Sequence, residues 1–179
     1  SPGKCKSGGI GGDRPDALYP AGRIGVVSRS GGMSAEIAIA LGKAGRGVST
    51  AVSMGGDRTT GRSMLEYLEL FEADDDTDAT VIYGEPGTSN EAEVAAALRA
   101  GTLRKPVIAI VAGRFQENYP LGVSFGHVAA MIGEEKDSAS AKIKMLRDAG
   151  AHTVASMDDI GVALDRSGVR DSGTEGGAH

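Results

Sequence analysis

The chain has 179 residues, 40% of them hydrophobic but only 4% aromatic, with no Trp and a formal net charge of -5. That length suits one domain with an aliphatic core, and the lone Cys5 excludes an intrachain disulfide or a cysteine-based zinc cluster. With no Lys or Arg stripe, no apolar run of membrane-spanning length and no signal-peptide core at the amino terminus, nucleic-acid and membrane surfaces are not expected, and the cytoplasm is the expected compartment.

Residues 1–22 are rich in Gly and Pro without a period and are read as a linker, extended or looped, arriving from something upstream. Arg23-Ile24-Gly25-Val26-Val27-Ser28 is a short apolar run of the kind that becomes a buried parallel strand. A helix is expected over 34–45, with Ile37, Leu41 and Ala44 on its apolar face and Gly45 and Gly47 ending it. The alternation repeats: a strand over 48–54, a turn at Gly55-Gly56-Asp57, and a helix over 61–72 whose buried stripe is Met64, Leu65, Leu68 and Phe71. An acidic bend at Asp74-Asp75-Asp76 leads to a strand over 79–84 and a helix over 90–100, and Lys105-Pro106 opens a strand over 107–112. A long connection over 113–126 precedes a segment at 127–132 that could form a short helix; a helix over 139–149 and a last strand over 152–155 follow. The expected domain runs from 23 to 166, with a flexible tail over 167–179. Strict strand and helix alternation predicts an α/β, three-layer, doubly wound parallel sheet of about five strands in flavodoxin-like order.

Ligands of open parallel sheets gather at the carboxyl ends of the strands, where loops and helix amino ends meet. Three polar segments fall there. Ser28-Arg29-Ser30-Gly31-Gly32 joins the first strand to its helix, and its small residues and unpaired amides suit an anion, although the same residues also make an ordinary helix cap. Glu85 in Gly84-Glu85-Pro86-Gly87 sits just past a buried run. His127 follows Ser124-Phe125-Gly126. An imidazole attacks phosphorus through an unprotonated nitrogen, so a carboxylate on the other ring nitrogen would fix the tautomer and stabilise the cation formed. His127 as nucleophile, Glu85 as orienting carboxylate, and Ser28, Ser30, Gly31, Gly32 and Gly126 around the phosphate make a phosphoryl-transfer constellation. No metal ligands are assigned.

Those segments, with Gly55-Gly56-Asp57, resemble in order and spacing the C-terminal phosphohistidine domain of the succinyl-CoA synthetase alpha subunit, a domain shared by ATP-citrate lyase and malate-CoA ligase. The resemblance runs from Pro2-Gly3-Lys4-Cys5-Lys6 to Asp148-Ala149-Gly150. It implies an NDP-forming acyl-CoA ligase: carboxylate, CoA and ATP or GTP with Mg as substrates, no tightly bound cofactor, and a phosphoryl group passing through His127. It further implies an upstream Rossmann-like CoA-binding domain and an ATP-grasp beta subunit, or an equivalent fused region, carrying a second phosphate-holding helix. The chain departs from the family's Gly-His-Ala-Gly-Ala with Gly126-His127-Val128-Ala129-Ala130, and Val123-Ser124 stand where a basic pair is common, which leaves the acyl group open. Two other readings stand beside this one: a CoA-ligase-like binding or assembly module without activity, and a serine hydrolase on Ser30, for which Ser28 occupies the place where a nucleophile elbow needs glycine.

Overall fold

The structure is a computed structural model and describes residues 5–7, 18–57, 61–123, 125–127 and 130–169. Its strands are β1 (Cys5–Ser7), β2 (Ala21–Ser28), β3 (Val48–Ser53), β4 (Ala79–Gly84), β5 (Val107–Val111) and β6 (His152–Thr153). They form one parallel sheet in the order β1-β3-β2-β4-β5-β6. Setting β1 aside, this is the flavodoxin-like order that strand and helix alternation predicts. The helices are α1 (Gly31–Lys43), α2 (Met64–Ala73), α3 (Asn90–Ala100), α4 (Ala139–Asp148) and α5 (Ile160–Arg166).

Successive side chains of a strand point to opposite faces, and the core divides accordingly. On one face Ile24, Val26, Val81, Tyr83, Ile108 and Ile110 pack with residues of α1 and α5; on the other Val27, Ile82, Val107, Ala109 and Val111 pack with residues of α2, α3 and α4. The sheet is therefore covered on both sides, which is why its strands read as continuous apolar runs.

Several local expectations need correction. A sixth strand, β1, lies within the stretch read as a linker and pairs with β3, Cys5 opposite Thr50 and Ser7 opposite Val52. Helix α1 starts at Gly31 rather than residue 34, because Ser30 is its N-cap. The segment at 127–132 is not a helix at its described residues: the Ala130 amide donates to the His127 carbonyl at 3.0 Å in a single turn. Helix α5 was not foreseen, yet Ile160, Ala163 and Leu164 belong to the core. Residues 1–4 and 8–17 of the expected linker and 170–179 of the expected tail lie outside the described residues. Among the described residues no helix is long and apolar enough to cross a membrane.

Backbone bonds gather the strand ends into a common edge. The Met54 amide donates to Ser28 O at 2.8 Å, the Arg29 amide to Tyr83 O at 3.1 Å, and the Ala112 amide to Gly84 O at 3.0 Å. The loops after β2, β3, β4 and β5 thus leave the sheet side by side.

Candidate active site

Glu85 is the first residue beyond β4 and is 8% exposed. Its Oε2 lies 2.8 Å from His127 Nδ1, while the imidazole is more open, its side chain 38% exposed. A carboxylate only accepts, so the Nδ1 proton is the donor in this pair and the neutral ring keeps its lone pair on Nε2. The imidazole rests on the turn after β3: a Cβ on Gly56 would stand 2.3 Å from His127 Cγ and 2.5 Å from Nδ1, so only glycine leaves room for the ring. Gly126, at φ +116°, delivers His127 from a backbone conformation that L side chains rarely adopt.

His127 and Glu85 line a cleft of about 300 Å³ together with Tyr83, Phe115, Phe125 and Gly126. Burial, and then the charge of Glu85, push the Tyr83 hydroxyl above its ordinary pKa. Phe115 and Phe125 meet edge to face with centroids 5.1 Å apart, and Tyr119 packs on Phe125 at 4.9 Å, so an aromatic rim borders the imidazole. Ser124 and residues 128 and 129, on either side of this segment, lie outside the described residues.

A buried ion pair lies behind Glu85. Lys142 Nζ, from α4, is 2.6 Å from Glu91 Oε2, from α3, and the two side chains are 2% and 0% exposed. Lys142 also donates to the carbonyls of Glu85 and Thr88, each at 2.7 Å, and Glu91 Oε1 accepts from the Glu85 amide at 3.2 Å. Sequence reasoning assigned neither residue a role. The available signal was a lysine within a buried stripe, since Ala139, Lys142 and Leu146 lie on one face of α4.

The start of α1 stands at the same end of the sheet but does not line the cleft of His127. Ser28 is fully buried, its hydroxyl donating to Ser30 O at 2.7 Å and accepting from the Ser30 amide at 3.0 Å, so it braces the turn rather than facing outward. Ser30 caps the helix through a long 3.5 Å contact from the Met33 amide, Gly31 is half-buried and Gly32 is exposed. Ser30 and His127 share no cleft or hydrogen bond among those described, which leaves a serine nucleophile at position 30 without a base. Arg29 is 2% exposed; its Nη2 donates to Asp57 O at 3.3 Å, its Nε has no hydrogen-bond partner among the described residues, and it lines a neighbouring cleft of about 410 Å³. Among the described residues no group of His, Cys, Asp and Glu could hold a metal ion.

Residues 21–164 match the family model described as the succinyl-CoA ligase like flavodoxin domain. The chain belongs to that family. This succinyl-CoA ligase-like flavodoxin domain is 39% identical over 160 residues to the alpha 1 subunit of ADP-forming succinate-CoA ligase from Archaeoglobus fulgidus, covering 89% of this chain and 52% of that protein. It is 40% identical over 150 residues to the malate-CoA ligase alpha subunit of Methylorubrum extorquens, covering 84% and 48%. An ADP-forming sulfoacetate-CoA ligase subunit from an Acholeplasma species is 38% identical over 154 residues, covering 86% and 51%. The domain therefore spans about half the length of these relatives. Among solved structures, the ATP citrate lyase of Methanosaeta concilii in complex with (3S)-citryl-CoA superposes with a TM-score of 0.77 at 34% identity, covering 82% of this chain and 24% of that one. The relatives are CoA ligases acting on different acids, so family membership makes this a CoA-ligase domain without choosing the acid.

Proposed function

We propose that this domain is the phosphoryl carrier of an NDP-forming acyl-CoA ligase and that His127 is the residue phosphorylated. The observation that carries the reading is the 2.8 Å contact between His127 Nδ1 and Glu85 Oε2 in a cleft at the carboxyl edge of the sheet. Nε2 attacks the terminal phosphorus of a nucleoside triphosphate; the N–P bond forms as the P–O bond to the diphosphate breaks, and the diphosphate leaves with the electron pair. The ring becomes cationic, and the Glu85 carboxylate, accepting the hydrogen bond from Nδ1–H, offsets that charge while the proton stays on the ring. A carboxylate oxygen of the acid substrate then takes the phosphoryl group, the N–P pair returns to Nε2, and the CoA thiol displaces phosphate from the acyl phosphate. The amides of Gly31 and Gly32 at the start of α1 stand at the same edge of the sheet, outside the cleft of His127, and offset negative charge on a phosphoryl group carried over to them. Ser28 serves by holding that turn, and Gly126 by presenting the imidazole.

Nucleotide with Mg, CoA and the acid are substrates of the assembled enzyme. An upstream CoA-binding domain and an ATP-grasp subunit or fused region would complete it; the alpha subunits among the relatives support this division. The test is to assemble the chain with a matching ATP-grasp partner and γ-labelled nucleotide. An acid-labile, alkali-stable phosphoryl group is expected on the wild type and absent from His127→Asn. Label that survives this substitution, or a complex that turns over without labelling the domain, would defeat the reading.

A further inference from the structure

We infer that the buried Glu91–Lys142 ion pair is the positioning element that aims the Glu85 carboxylate at His127. This rests on the proposed roles of His127 and Glu85 and adds what holds the second of them in place. Both backbone polar groups of Glu85 end on the pair: its amide donates to Glu91 Oε1 at 3.2 Å and its carbonyl accepts from Lys142 Nζ at 2.7 Å. The same ammonium takes the Thr88 carbonyl at 2.7 Å, so the far end of the loop is tied to the same atom. Three of the ammonium's bonds are thereby used, on Glu85, Thr88 and Glu91, which is its full donor capacity. Gly84 completes the arrangement, since a Cβ there would stand 2.1 Å from Glu91 Oε1 and push the carboxylate off the Glu85 amide.

Stability alone does not account for such a pair. Desolvating two charges offsets most of their attraction, and well-packed apolar residues of similar volume commonly do as well or better, whereas an ion pair adds directionality. Here the directional bonds converge on the one residue whose carboxylate meets the imidazole. Fixing the Glu85 backbone at both its amide and its carbonyl limits the side chain to its own torsions, which is what a constant 2.8 Å contact to Nδ1 requires. Glu91 and Lys142 touch no reacting atom in this scheme and act through Glu85.

The experiment reads the tautomer of His127 directly. The chain has three histidines, and the ¹⁵N shifts of their rings at about pH 9, where an ordinary imidazole is neutral, separate the Nδ1–H from the Nε2–H form. In the wild type His127 is expected mainly as Nδ1–H. In the doubly neutralised Glu91→Gln/Lys142→Met variant the ratio is expected to shift toward Nε2–H by about fivefold, the effect of weakening one hydrogen bond. His152, on β6, is expected to keep its signal as an internal control for the fold. Glu91→Asp keeps both charges but withdraws the carboxylate by one methylene, and a smaller shift in the same direction is expected, which keeps the test decisive if the double variant does not fold. A folded variant of either kind with the wild-type tautomer ratio would overturn the positioning role while leaving the Glu85–His127 contact intact. A wild type without the Nδ1–H preference would overturn that contact and the positioning role together.

Discussion

Gly56 shows how little space the imidazole has. Its missing Cβ would stand 2.3 to 2.6 Å from three atoms of the His127 ring, and the ring cannot withdraw without leaving Glu85. Gly56→Ala is therefore expected to reduce phosphoryl labelling of the assembled enzyme by about tenfold or more, the scale of a misplaced nucleophile. Thermal unfolding of the same variant should stay within a few degrees of wild type, because the turn lies outside the core clusters; a variant that labels at the wild-type rate would show that the ring does not need this seat. His127 and Glu85 were legible in the sequence because each follows a glycine beside an apolar strand or at a loop end, where parallel sheets collect their chemistry. Glu91 and Lys142 were not, since they meet across 51 residues from different helices, and the place of Lys142 on the buried stripe of α4 does not name its partner.

Among the elements, the end of α2 shows a contact that carries pH dependence. Asp74 closes the helix in an extended conformation without a glycine, and Lys105 Nζ takes up the carbonyls of Phe71 and Asp74 at 2.7 and 2.6 Å. Glu72 in turn accepts from the amides of Arg104 and Lys105, each at 3.0 Å. Desolvation pulls the Glu72 pKa upward, but those two amides and the adjacent cations outweigh it and leave the carboxyl below its ordinary value. A depressed carboxyl contributes stability that is present in full above the unfolded-state pKa, about 4.3, and is lost as pH falls through the folded value. Glu72→Gln is accordingly expected to lower the unfolding midpoint at pH 7, with the gap to wild type narrowing below about pH 4; a gap that stayed constant down to acid would refute the assignment. The five expected strands were visible as apolar runs, α2 by its apolar stripe, α3 as a run of Ala and Glu and α4 by the glycine that ends it, although α2 starts at Met64 rather than residue 61 because Ser63 caps it. The sequence did not disclose β1, whose three residues Cys5-Lys6-Ser7 have no alternation and gain their place from pairing with β3. Helix α5 escaped for a related reason: seven residues are too few for a period, and Ile160, Ala163 and Leu164 declare themselves only against the finished core.

At the scale of the molecule, the two core clusters on opposite faces make the sheet the shared wall of both, so the loops at its carboxyl edge are carried by the most deeply packed part of the fold. The sheet order was legible because alternation of strand and helix leaves few topologies open. The choice of acid was not, because the chain covers about half of each relative and those relatives act on succinate, malate and sulfoacetate. The same sheet governs how the chain reaches this state. Every neighbouring pair of strands is parallel, so none can be zipped from a tight turn, and β2 must find β4 across the whole of β3 and two helices. Each pairing closes a long loop before it is rewarded, which places refolding after denaturant dilution at roughly milliseconds to seconds rather than the microseconds open to helical bundles. Stopped-flow mixing would resolve that phase, and its completion within the dead time would contradict an assembly governed by distant strand encounters.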